Sequence, residues 1–429
     1  MNRRLFSRVL PALVLPALLL PVFFAGCGSR PAPAPEQPPR IVEMPPVVIE
    51  SRTGEDGELT TDAYDADMLF QQARGAFDAQ HFDEAERLYG KLLERFPQSE
   101  LSVTSLYNRG LCLEYLKQFG QAAAHFRRYS QVAATLKDKR DGEFRWGFNL
   151  IQTGDFPMAL DLYTRLLIET DLGAADRAEC YLRRGLALLR LSRYGEAEKD
   201  LRRSLEQAVI AYQNELTGNE LVAEAHFRRG EIYQRMSREV VLKLPVESMK
   251  DDLAEKVRYF RQSQNSFIDT LNVRQAYWAT AAGLKLGELY EDFYTDILSA
   301  EVPPDFDKAT KKFYFVELRK KLVPLLEQSL TIYEKNITMS ERMGAQNEWV
   351  KETETRLDRL RSLIDATHRE DAEAALSAAA VTGSGPGSAP ISAPASGPIS
   401  GPVSSPALPS APAGPTSAPG APRDGSTVL

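Results

Sequence analysis

The sequence predicts an all-α chain, an α-solenoid of stacked antiparallel helix pairs, and three observations carry that prediction. An aromatic residue followed three positions later by alanine recurs as Phe82–Ala85, Phe119–Ala122, Phe156–Ala159 and Tyr194–Ala197, in steps of 37, 37 and 38 residues. Gly110, Gly147 and Gly185 keep the same beat, each nine residues before the next aromatic. The body between residues 60 and 380 holds only six of the chain's 27 prolines and is rich in strong helix formers. No segment alternates with period two for long enough to count as a strand. A period in the thirties marks stacked supersecondary units, none of which buries its apolar face alone. Such a stack offers a surface for holding other proteins.

In chain order, residues 1–26 come first. Arg3, Arg4 and Arg8 form a positive start, Val9 to Phe24 is uncharged and apolar, and Ala25 and Gly26 precede Cys27. That is the pattern of a secretion signal. The run Phe24-Ala25-Gly26-Cys27 resembles the bacterial lipobox, which implies that Cys27 is lipidated and becomes the new N-terminus. An uncleaved anchor and an ordinary cleaved signal are the alternatives, although an apolar stretch broken by Pro11, Pro16 and Pro21 is short for a spanning helix. Without residues 1–26 the chain carries 49 basic against 59 acidic residues, a balance that argues against nucleic acid.

Residues 27–60, with seven prolines between Pro31 and Pro46, read as a disordered linker, and the Pro/Gly/Ser/Ala-rich end of 371–429 as a short helical end and a disordered tail. Residues 61–210 form four regular repeats. In repeat two the first helix is expected near Ser102 to Leu116 and the second from Phe119. In repeat three Gly154 ends the first helix, Asp155 caps the second and Pro157 sits in its first turn. Gly110 and Ala122 allow close helix approach, and Phe119 and Phe126 fill the gap to the next pair. Residues 211–370 form two irregular repeats and a capping helix. Gly230 and Gly287 mark the first helices, an insertion near Val240–Lys250 delays one partner, and the other is expected after Pro304 with Phe306 and Ala309. Pro324 should bend or divide the next helix. Val350, Leu357, Leu360 and Ile364 face the stack from a closing helix. Cys112 and Cys180, a whole repeat apart, are expected to be buried free thiols.

These residues resemble the tetratricopeptide repeat. That family has a small residue at position 8, an aromatic at 17, alanine at 20 and an aromatic at 24. Repeat one supplies Ala73, Phe82, Ala85 and Tyr89; repeat two Gly110, Phe119, Ala122 and Phe126; repeat three Gly147, Phe156, Ala159 and Tyr163; repeat four Gly185, Tyr194, Ala197 and Leu201.

The four histidines are scattered and no catalytic, phosphate-binding or metal motif occurs, so no cofactor, metal site or catalytic residue is expected. One column invites a binding role. At family position 6, on the interior side of the first helix, stand Asn108, Arg145, Arg183, Arg228 and Lys285. Position 5 holds Phe70, Tyr107, Phe144, Leu182 and Phe227. An aromatic row beside a cationic row suits an extended peptide with carboxylate groups. The alternative is that these cations pair with acids of neighbouring helices and that the aromatics belong to the core. The expected function is a non-enzymatic scaffold anchored by Cys27 to the periplasmic face of the outer membrane, helping to assemble a cell-envelope complex. Membership of one trans-envelope machine (gliding motility, pilus secretin or Tol-Pal type) and a passive periplasmic spacer are the alternatives. Partners are expected among envelope proteins or an extended peptide segment, with no nucleic acid and no small-molecule substrate.

Overall fold

The computed structural model describes residues 46–53, 59–213 and 215–382. The expected signal (1–26), Cys27, most of the expected linker and the residues from 383 on lie outside the described residues. The helices come in consecutive antiparallel pairs: α1 (Ala66–Asp78) with α2 (Phe82–Arg95), α3 (Leu101–Tyr115) with α4 (Phe119–Val132), α5 (Leu136–Thr153) with α6 (Phe156–Ile168), and α7 (Ala174–Arg190) with α8 (Tyr194–Tyr212). Then follow α9 (Glu220–Glu239) with α10 (Val246–Val273), α11 (Ala276–Leu298) with α12 (Lys308–Met343), and the closing α13 (Glu348–Thr382). Each pair packs on the next, and α13 lies against α11 and α12. Val350, Leu357, Leu360 and Ile364 are all buried, as expected of the closing helix.

Local chemistry sets the ends. Asp65, Thr135, Asp155, Asn219, Gln275 and Asp307 cap their helices by accepting a backbone N–H from three residues on. In repeats one to four the turn inside each pair is the same. The residue two before the aromatic, Gln80, Lys117, Gly154 or Ser192, has φ between 58° and 81°. The following N–H donates back to the helix, as in His81 N to Ala76 O at 2.8 Å and Arg193 N to Leu188 O at 2.9 Å. Only Gly154 adopts that conformation without a side-chain penalty.

The core is a series of sockets. Ala85, Ala122, Ala159 and Ala197 are wholly buried. A Cβ on Gly110 would come within 3.0 Å of the Phe126 ring, and one on Gly147 within 3.0 Å of Tyr163. The glycine therefore gives the ring sixteen residues later its seat. Cys112 and Cys180 are buried and free. Burial pushes the Cys112 thiol up to about 12.

The structure departs from the sequence reading at three places. First, residues expected to be linker form a hairpin: β1 (Val48–Thr53) pairs antiparallel with β2 (Leu59–Tyr64), Val48 opposite Tyr64. Tyr64 is buried and meets Phe96 edge-on at 6.1 Å, and Glu50 pairs with Lys91 at 3.0 Å and Arg95 at 2.9 Å. Each strand is only six residues long, with Ile49 and Leu59 exposed and the charged Glu50 on the inner side, so no clean alternation marked it. Second, of the two outcomes expected at Pro324, division does not occur, since α12 runs unbroken through it. Third, Phe306 and Ala309 do not supply the sixth repeat's aromatic–alanine pair; Leu326 and Ser329 take those places, and Tyr333 seats against Gly287.

Candidate functional site

The position-6 column is present, and every member of it already has a partner. Asn108 donates to the Tyr89 hydroxyl at 3.2 Å. Arg145 on α5 donates to Glu114 on α3 at 2.8 Å, and Asn149 donates to the same carboxylate. Arg183 on α7 reaches Glu224 on α9 at 3.0 Å. Arg228 grips Glu224 at 3.1 Å and Glu231 at 2.8 Å. Lys285 holds Glu288 at 2.7 Å, and Arg356 of α13 joins Glu288 at 3.1 Å. Arg145–Glu114, Arg183–Glu224 and Arg356–Glu288 cross from one repeat to the next, while the Arg228 and Lys285 pairs brace their own helices.

The aromatic row is equally committed. Phe70 meets Tyr89 at 5.8 Å, Tyr107 meets Phe126 at 5.4 Å, Phe144 meets Tyr163 at 6.5 Å and Phe227 meets Phe267 at 5.7 Å between ring centroids. Each position-5 ring leans on the socket ring of its own repeat, and Leu182 and Phe227 are wholly buried. Of the two readings open from sequence, these contacts fit the one in which the cations pair with acids and the rings belong to the core: a carboxylate entering the groove would have to displace Glu114, Glu224 or Glu288 from its cation. The acids were missed because they occupy different repeat positions and so form no column in the sequence.

Electrostatics separates the ion pairs. Burial outweighs the single Arg145 and pushes the Glu114 carboxyl up. Burial also raises Glu224, but Arg183 and Arg228 together overcome it and hold that carboxylate below its ordinary range.

Sequence reasoning also missed an open cleft of about 620 Å³ between the hairpin, α2, α3 and α4. Arg87, Lys91, Arg95, Arg109 and Arg128 face Glu50, Glu86 and Glu94 there. The Arg109 guanidinium lies over Gly90, where a Cβ would sit 3.1 Å from its central carbon, and donates to Glu86 at 2.7 Å. The cleft exists because the hairpin closes one side of it, so no repeat-based reading could place it. Among the described residues no cluster of His, Cys, Asp and Glu is arranged to hold a metal, and no helix is long and apolar enough to cross a membrane.

Residues 70–134 and 144–209 match the tetratricopeptide repeat. No curated protein matches the chain. Among solved structures, MamA from Desulfovibrio magneticus RS-1 is 13% identical over 50% of this chain and 98% of its own, with a TM-score of 0.32. A tetratricopeptide repeat protein from Parabacteroides merdae is 16% identical over 69% of this chain and 98% of its own, with a TM-score of 0.34. YrrB, a tetratricopeptide repeat protein with an unusual peptide-binding site, is 16% identical over 49% of this chain and 92% of its own, with a TM-score of 0.33. Values this low carry no functional inference for this chain.

Proposed function

We propose that this chain, a tetratricopeptide repeat protein, is a lipid-anchored periplasmic scaffold that holds other envelope proteins on its helical stack. The carrying observation is the unbroken series of six helix pairs, each closed on a buried socket, with ion pairs joining repeat two to three, four to five and six to the closing helix. A stack fixed in this way keeps its outer groups in register across many repeats, as a multi-contact docking surface requires. The signal-like residues 1–26 and the lipobox-like run ending at Cys27 support export and an anchor, and the Gly28 that follows supports the outer membrane.

Specific capture of envelope proteins by the mature full-length chain tests the scaffold, and stoichiometric partners are expected. Their absence would favour a passive spacer. Palmitate labelling of wild type against Cys27→Ala tests the anchor; equal labelling refutes it. Exchanging Arg145 or Arg183 is a poor probe of binding, because the first strips the buried Glu114 of its cation and the second leaves Glu224 with Arg228 alone, so each weakens the stack itself.

A further inference from the structure

We propose that the N-terminal part of α12 is a docking surface for an anionic phospholipid membrane. Helix α12 is longer than a stacking helix needs to be. Its socket ring is Tyr333, the buried small residue four before it is Ser329, and the position-17 place falls to Leu326. The repeat's own places therefore begin near Leu326, and Lys308 to Val323 is helix added before them, whose later part still packs through Val316, Leu322 and Val323.

That addition is uncovered where it begins. Asp307 to Phe313 are exposed without a break, over nearly two turns, and the Phe313 ring is 68% exposed. The stretch is also the reverse of the chain in charge. The whole sequence carries −7, yet Lys308, Lys311, Lys312, Arg319, Lys320 and Lys321 face only Asp305, Asp307 and Glu317 between residues 305 and 321. Asp307 is committed to capping the helix through Thr310 N at 2.7 Å, and Glu317 to Lys320 at 2.8 Å. Among the described residues Lys308, Lys311 and Lys312 make no ion pair.

Charge complementarity selects the occupant. An anionic bilayer repels the acidic remainder of the chain and attracts these lysines, and an exposed phenylalanine among lysines suits the headgroup boundary. The chain's own Pro-rich tail is almost uncharged and offers the lysines nothing. The proposal rests on the membrane-anchored reading above and supplies a second contact with the bilayer beside the lipid at Cys27.

The test is flotation of the mature full-length chain carrying Cys27→Ser, which removes any lipid, with vesicles of phosphatidylcholine alone or mixed with phosphatidylglycerol. Binding to the mixed vesicles is expected, falling as salt shortens the screening length. The triple change Lys308→Ala, Lys311→Ala, Lys312→Ala should weaken it about a hundredfold, at roughly fivefold per cation. Phe313→Ala should weaken it less, by about tenfold. Unchanged thermal melting of the variants keeps folding out of the result. Equal partition of wild type and the triple variant, or none at low salt, overturns the proposal, as does a triple variant that loses only an acidic protein partner. Failure of Cys27 labelling leaves this experiment unaffected, so the two readings fail separately.

Discussion

Repeats one to four and repeats five and six use the same socket and close it differently. In the first four, the small residue and the large side chain it seats are sixteen residues apart, from Ala73 and Tyr89 to Gly185 and Leu201, and each pair is sealed by a tight turn of its own. In the last two, Gly230 meets Phe267 and Gly287 meets Tyr333, across much longer stretches of chain. Serine replaces the buried alanine: Ser263 donates to Gly230 O and Ser329 to Gly287 O, both at 2.9 Å.

The long connections also close on each other. Glu301 N donates to Leu242 O at 3.1 Å, and Leu244 N donates to the Glu301 carboxylate at 2.8 Å. Further polar stitches join the lengthened helices, where Lys256 bonds to Asp296 at 2.6 Å and Gln234 to Asp292 at 2.7 Å. A repeat closed by its own turn is a local unit. A repeat whose loop is held by its neighbour's loop depends on that neighbour. The four regular repeats form a modular half and the last two an interlocked half.

The largest way to break this likeness is to fill a seat. Gly287→Ala places a methyl inside 3.0 Å of the Tyr333 ring and Gly230→Ala one inside 3.0 Å of Phe267, and each should cost about 3 kcal/mol of unfolding free energy in urea titration. Gly185→Ala, where Leu201 stands 3.1 Å away, should cost about 1 kcal/mol.

The next test separates the ion pairs. Glu224→Gln removes the buried carboxylate that Arg183 and Arg228 share and should cost about 3 kcal/mol, whereas Glu114→Gln, at a site where burial already opposes the charge, should cost about 1 kcal/mol. Equal costs in thermal melting would show that the two sites do not differ.

Acid acts on both halves. Burial lowers His125 on α4 and His226 on α9 to about 4, so each folded site favours the neutral ring. The stability they contribute is complete above the ordinary histidine range near 6.5 and is lost as pH falls towards 4. Glu50, which bonds Tyr64 and Lys91, is held at about 2, so its hold on the hairpin is complete above 4.5 and lost as pH falls from there towards 2. Urea midpoints measured against pH should fall first for the body, and His125→Gln should flatten that fall. Smallest of all, Ser263→Ala and Ser329→Ala restore the alanine of the regular repeats at the loss of one buried hydrogen bond, about 1 kcal/mol each by calorimetry.

Much of the modular half was legible because every packing decision in it recurs at a fixed spacing. Gly154, Asp155 and Pro157 specify their turn locally, and the structure has it. The interlocked half kept its first-helix glycines visible but hid their partners, because Phe267 and Tyr333 are set by where a long helix crosses and not by distance along the chain. The hairpin was hidden by its shortness. The binding column was open to two readings for a different reason. Sequence shows that a cation stands at position 6, but whether it is free depends on Glu114, Glu224 and Glu288, which share no register.

The central claim is that one socket builds both halves, and a double-mutant cycle between Gly287 and Tyr333 tests it most directly. Tyr333→Leu recreates the pairing of Gly185 with Leu201. Gly287→Ala should then cost about 1 kcal/mol in the Tyr333→Leu background against about 3 kcal/mol in wild type, a coupling near 2 kcal/mol in equilibrium unfolding. The same cost in both backgrounds would contradict the claim.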